Sequence, residues 1–89
     1  VTLVSDGDRL LGIFTDGDLR RALEKYPDAL QRPIAEVMTR APQTTAPAVL
    51  AAEALQHMEA RHITALPVLD GERIAGIIHI HDLLRAGVA

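Results

Sequence analysis

The 89 residues contain no cysteine and no tryptophan, and Phe14 and Tyr26 are the only aromatics. Without cysteine there is no disulfide framework and no thiolate chemistry, and a reducing compartment suits the chain. Lys and Arg total 9 against 12 Asp and Glu, a net charge of -3, so no basic stripe offers a footprint for nucleic acid. No apolar run approaches the roughly 18 residues that a membrane span needs, and no charged-then-apolar leader precedes a cleavage site. Catalytic patterns are missing too: there is no Ser-His-Asp order, no phosphate-cradling glycine loop and no complete EF-hand loop. These absences lead us to expect a cytoplasmic protein with no nucleic-acid or membrane partner, no catalytic residue, no bound metal and no cofactor.

What is present is a core-forming composition. Hydrophobic residues make up 48% and charged residues 24%, which fits a single folded domain near the lower size limit. A chain this short buries only about 60–65% of its unfolded surface, so association with a partner or a longer chain is expected. The opening VTLV already reads as strand, as in a fragment of something longer.

The organising feature is an internal repeat. Residues 3–23, LVSDGDRLLGIFTDGDLRRAL, align without gaps on residues 67–87, PVLDGERIAGIIHIHDLLRAG, with about half the positions identical. Each copy reads as strand, Asp-Gly hairpin turn, second strand (Leu10–Phe14 or Ile74–Ile80) and a short helix. Between the copies, Pro33 suits the first turn of a helix over IAEVM, and RAPQTTAP is a connector with a short extended piece. Residues 48–61 place Leu50, Ala51, Ala54, Leu55 and Met58 at helical spacing, with Glu53, Gln56 and Glu59 outward, and 64–69 return to strand. The expected fold is α/β with tandem β-α-β-β-α repeats. Residues 1–32 form a partial first repeat with linker, incomplete at its N-terminus, and residues 33–89 a complete second repeat.

The segments PIAEVMTRAPQT and ITALPVLDGERIAGIIHIHDLL resemble the CBS family of paired regulatory domains, and the resemblance covers essentially the whole chain. More narrowly, GIFTDGDLRRALEK, PIAEVMTR and HIHDLLRAG resemble the C-terminal region of bacterial arabinose-5-phosphate isomerases. Those enzymes join a sugar-isomerase (SIS) domain to a CBS pair and feed synthesis of Kdo, a lipopolysaccharide sugar. No part of this chain resembles the SIS domain, so the resemblance implies a regulatory half without isomerase activity of its own. It also implies a nucleotide site in clefts between the repeats, where a Ser or Thr followed three residues later by Asp contacts ribose. Thr15 and Asp18 match that pattern; in the second repeat Asp82 matches, but His79 replaces the hydroxyl residue. The departure leaves room for a ligand other than AMP or ATP, with CMP-Kdo as a candidate.

The residues alone leave two readings of Thr15–Asp18. A hydroxyl and a carboxylate at this spacing can engage vicinal ribose hydroxyls, and equally form a capping-box variant at a helix start. His79 and His81, two apart on an expected strand, share one face and can line a cleft, as can His62 just ahead of the preceding strand and Thr64 at its start. His57 is expected to be exposed on its helix. Asp6-Gly7-Asp8 and Asp70-Gly71-Glu72 read as hairpin turns. Arg20, Arg21 and Arg85 read as solvated helix residues or phosphate contacts. Two functions follow as expectations: a ligand-sensing module that modulates an attached isomerase domain, or a structural homo-oligomerisation module with vestigial clefts.

Overall fold

The computed structural model describes residues 1–87, so the last two positions of the expected second repeat lie outside the described residues. The chain forms a mixed α/β structure of two compact units, Val1–Pro42 and Gln43–Ala89.

The first unit opens with strands β1 (Thr2–Asp6) and β2 (Arg9–Phe14), paired antiparallel from Thr2 opposite Phe14 to Asp6 opposite Arg9. Gly7 has φ 61° in the turn, the left-handed value that a tight hairpin demands and glycine adopts without steric cost. The register shifts between Val4 and Ser5, which leaves Val4 opposite Gly12. Helix α1 (Asp16–Lys25) follows, then a 3-10 turn (Ala29–Gln31), helix α2 (Ile34–Val37) and the short strand β3 (Thr39–Arg40). β3 pairs antiparallel with β2, Gly12 opposite Arg40 and Ile13 opposite Thr39. Gly12 is needed there, because a Cβ would lie 2.6 Å from both Met38 Sδ and the Thr39 carbonyl oxygen. Ile13, Ala22 and Ala29 are buried. Arg32 braces the connection, with Nε 2.9 Å from Asp28 Oδ1 and its guanidinium carbon 3.8 Å from the Tyr26 ring centre.

The second unit contains helix α3 (Ala51–Arg61), strands β4 (Ala65–Asp70) and β5 (Arg73–His79), and helix α4 (Ile80–Arg85). Its hairpin repeats the first: Gly71 has φ 64°, the register shifts between Val68 and Leu69, and Val68 faces Gly76. Ahead of α3, Thr45 bridges Val68 in parallel, donating to Pro67 O at 2.9 Å and accepting from Leu69 N at 2.8 Å. This bridge is the extended piece expected in the connector, alongside β3. The core is Ala54, Met58 and Leu66, with Ile63, Ile78, Ile80 and Leu83 packed on it. Met58 and Leu66 are fully buried, each worth roughly 1.5–3 kcal/mol of transfer free energy.

Three details differ from the sequence expectation. Leu50 and Ala51 do not join the buried face of α3; Leu50 is the N-cap and is exposed, because it precedes the first helical turn. Only Ala54, Leu55 and Met58 of that stripe are buried, and Glu53, Gln56 and Glu59 face outward as expected. The strand expected to reach Ile80 stops at His79, where Ile80 opens α4; α2 likewise stops at Val37, short of Met38.

Candidate functional site

The two matched carboxylates begin matched helices. In the first unit Thr15 is the N-cap of α1 and Asp18 its third helical residue. The Thr15 hydroxyl accepts from Asp18 N at 3.2 Å, while Thr15 N donates to Asp18 Oδ2 at 2.8 Å, so the capping box is complete. The Thr15 hydroxyl also lies 3.0 Å from Asp18 Oδ2. The other oxygen, Oδ1, accepts from Arg21 Nη2 at 2.6 Å and from the Thr39 hydroxyl at 2.6 Å. Asp18 is only 4% exposed. Burial opposes its ionisation most strongly, but bonds from Thr39, Thr15 N, Arg21 and the Thr15 hydroxyl together hold the carboxyl below its ordinary value. Beside it lies a depression of about 250 Å³ lined in part by Arg21, Lys25, Tyr26, Glu36 and Thr39.

Thr39 is the participant that the sequence reading missed. Its hydroxyl reaches a carboxylate 21 positions earlier in the chain. The one advance signal was its place between IAEVM and the connector RAPQTTAP, which carries no information about which strand it joins.

In the second unit His79 is the N-cap of α4, and its Nδ1 accepts from His81 N at 3.2 Å. A ring nitrogen thus performs the capping that a hydroxyl performs at Thr15, without the reciprocal carboxylate bond. His79 and His81 do not share one face of a strand, as their spacing suggested. The chain turns helical between them, and the turn stacks their rings at 4.9 Å between centroids, 27° apart. Asp82 accepts from Arg85 Nη2 at 2.5 Å, matching the Asp18–Arg21 pair, but its side chain is 63% exposed. The Thr64 carbonyl accepts from Ile80 N at 2.8 Å, which ties the start of β4 to the start of α4. His62 is exposed and closes α3 with φ 55°, its N–H pointing back to the carbonyls of Met58 and Glu59. His57 is half-buried rather than free on its helix, its Nε2 3.0 Å from Gln43 Oε1. Within the second unit, Thr64, His79, His81 and Asp82 therefore gather around the β5–α4 junction, while His62 is at the end of α3.

Among the described residues no group of three or more His, Cys, Asp or Glu is arranged to hold a metal ion. No helix among them is long and apolar enough to cross a membrane.

Comparison with known proteins adds three findings. The family model described as CBS domain matches residues 34–89. The chain is 51% identical over 86 residues to arabinose 5-phosphate isomerase KdsD of Yersinia pestis, covering 97% of this chain and 26% of that protein. It thus spans about a quarter of the length of the curated relatives it matches. Among solved structures, the CBS-domain containing protein ATU1752 from Agrobacterium tumefaciens superposes with a TM-score of 0.88 at 28% identity, covering 97% of this chain and 70% of that one. The CBS domain pair of protein MJ0100, in complex with 5'-methylthioadenosine and S-adenosyl-L-methionine, superposes with a TM-score of 0.80 at 28% identity, covering 94% and 65%.

Proposed function

This chain belongs to the CBS-domain family, and on that premise we propose that it is a regulatory module that binds a nucleotide or nucleotide-sugar and modulates an attached arabinose-5-phosphate isomerase domain. The observation that carries this reading is the repeated carboxylate–arginine pair at the start of α1 and α4, satisfied internally at Asp18 and open at Asp82. The bound adenosine compounds of MJ0100 and the identity to the KdsD enzymes support the same direction. Asp82 and His79 would contact the ligand's ribose or phosphate, with His81, Thr64 and His62 as further candidates. Thr15 and Asp18 would receive a second ligand only if it displaced Thr39 or Arg21 from the carboxylate. A ligand preferring one arrangement of the chain would shift its population and so bias the isomerase domain, in a cytoplasmic enzyme of the Kdo pathway.

Calorimetric titration of AMP, ATP, CMP and CMP-Kdo tests the reading. Binding below millimolar that Asp82→Ala weakens more than Thr15→Ala supports it; no binding by any of the four overturns it.

One observation favours a second reading. Asp18 already has Thr15, Arg21 and Thr39 as hydrogen-bond partners, and Leu19, Leu23 and Leu84 are exposed apolar side chains on the helices. A structural oligomerisation module with vestigial ligand sites would show a constant sedimentation coefficient whatever nucleotide is added.

A further inference from the structure

The chain has two methionines and no cysteine, so oxidation of sulfur falls on Met38 or Met58. Their surroundings differ. Met58 is 0% exposed in the core of the second unit. Met38 is half-buried and lines the depression of about 250 Å³ beside Asp18, together with Arg21, Tyr26 and Thr39. Its thioether fills the place that a side chain on Gly12 would take: a Cβ there would stand 2.6 Å from Sδ and 3.1 Å from Cε. Met38 thus borders an open depression and packs on β2 at once.

The segment that carries it is lightly held. β3 has two residues, paired with Gly12 and Ile13. Beside that ladder stand the Met38 thioether over Gly12 and the Thr39 hydroxyl on Asp18. We propose that Met38 is an oxidation site, and that its sulfoxide releases β3 from β2 and the Thr39 hydroxyl from Asp18. A hydroperoxide supplies the oxygen. Its O–O bond breaks as an S–O bond forms at Sδ, the sulfur is oxidised by two electrons, and the peroxide is reduced to water. The product carries a polar S=O where an apolar group packed against the strand. Keeping that oxygen over Gly12 buries an unsatisfied acceptor, and turning it to water lifts the sulfur off the strand. Either way the contact is lost, and the adjacent Thr39 goes with it. Methionine sulfoxide is reduced back by dedicated reductases, so the release is reversible. The inference does not depend on nucleotide binding.

Trypsin cuts after Arg40, which puts the two methionines in different fragments whose gain of oxygen is read separately by mass spectrometry. In dilute hydrogen peroxide the folded chain should be oxidised at Met38 about tenfold or more faster than at Met58. In concentrated urea the two rates should converge. The Met38 sulfoxide should lower the melting temperature by about 4–8 °C in a domain of this size, and methionine sulfoxide reductases should restore it. Met38→Leu conserves volume, so it should melt near the natural chain and hold that temperature through peroxide treatment. Thr39→Val has no hydroxyl to release, so oxidation should cost it clearly less than it costs the natural chain. Three results overturn the proposal: equal rates at the two methionines of the folded chain, an unchanged melting temperature after conversion of Met38, or an undiminished loss in Thr39→Val.

Discussion

Thr39 and Asp18 are 21 positions apart, and the Thr39 hydroxyl donates to Asp18 Oδ1 at 2.6 Å. The bond ties β3 to the first turn of α1 and completes the set of partners on a buried carboxylate. Asp18 therefore acts first as a structural anchor.

Thr39→Val keeps the branched shape and removes the donor. A hydrogen bond to a charged, buried group is worth about 1.5–3 kcal/mol, so unfolding in urea should begin at lower concentration by that free energy. Thr39→Ser, which retains the hydroxyl, should recover most of the loss.

Acid should weaken the first unit through Asp18. Its folded-state carboxyl lies below the ordinary value of 3.8, because the bonds from Thr39, Thr15 and Arg21 outweigh the opposing effect of burial. The stability this group adds is thus fully present above the ordinary value and is lost as pH falls through the lower folded value. Urea midpoints between neutral pH and about pH 2 should fall more steeply in the natural sequence than in Asp18→Asn, which has no carboxyl to titrate there. Parallel curves would show that Asp18 contributes nothing to the acid response.

The matching glycines should respond in opposite ways. Gly12→Ala forces a Cβ against Met38 Sδ and the Thr39 carbonyl and should cost about 1–3 kcal/mol, measured by thermal or chemical unfolding. Gly76→Ala has open space and should be neutral or slightly stabilising in this chain.

His79→Ala should remove the ring nitrogen that accepts from His81 N and the stacked partner of the His81 ring. Loss of an N-cap costs about 0.5–2 kcal/mol, read as a lower melting temperature. His79→Thr should recover it, because a hydroxyl at that position can repeat the Thr15 capping box with Asp82 in the third helical position.

Much of this was legible in the residues themselves. The repeat, the hairpin turns at Gly7 and Gly71, and the buried face Ala54–Leu55–Met58 follow from spacing and backbone preference within a few residues. Such signals are local: a turn needs a left-handed glycine, and a helix needs apolar residues at its own period. The Thr15–Asp18 capping box was legible for the same reason, but not whether the carboxylate would be free for a ligand. Tertiary structure decided that. Two aspartates at matching repeat positions, each paired with the arginine three residues on, ended 4% and 63% exposed; Thr39 reaches one of them from another strand, and strand pairing between distant segments leaves no trace in periodicity. It also decided the histidines. Spacing put His79 and His81 on one strand face, but the switch into α4 at Ile80 made one a cap and stacked the other on it.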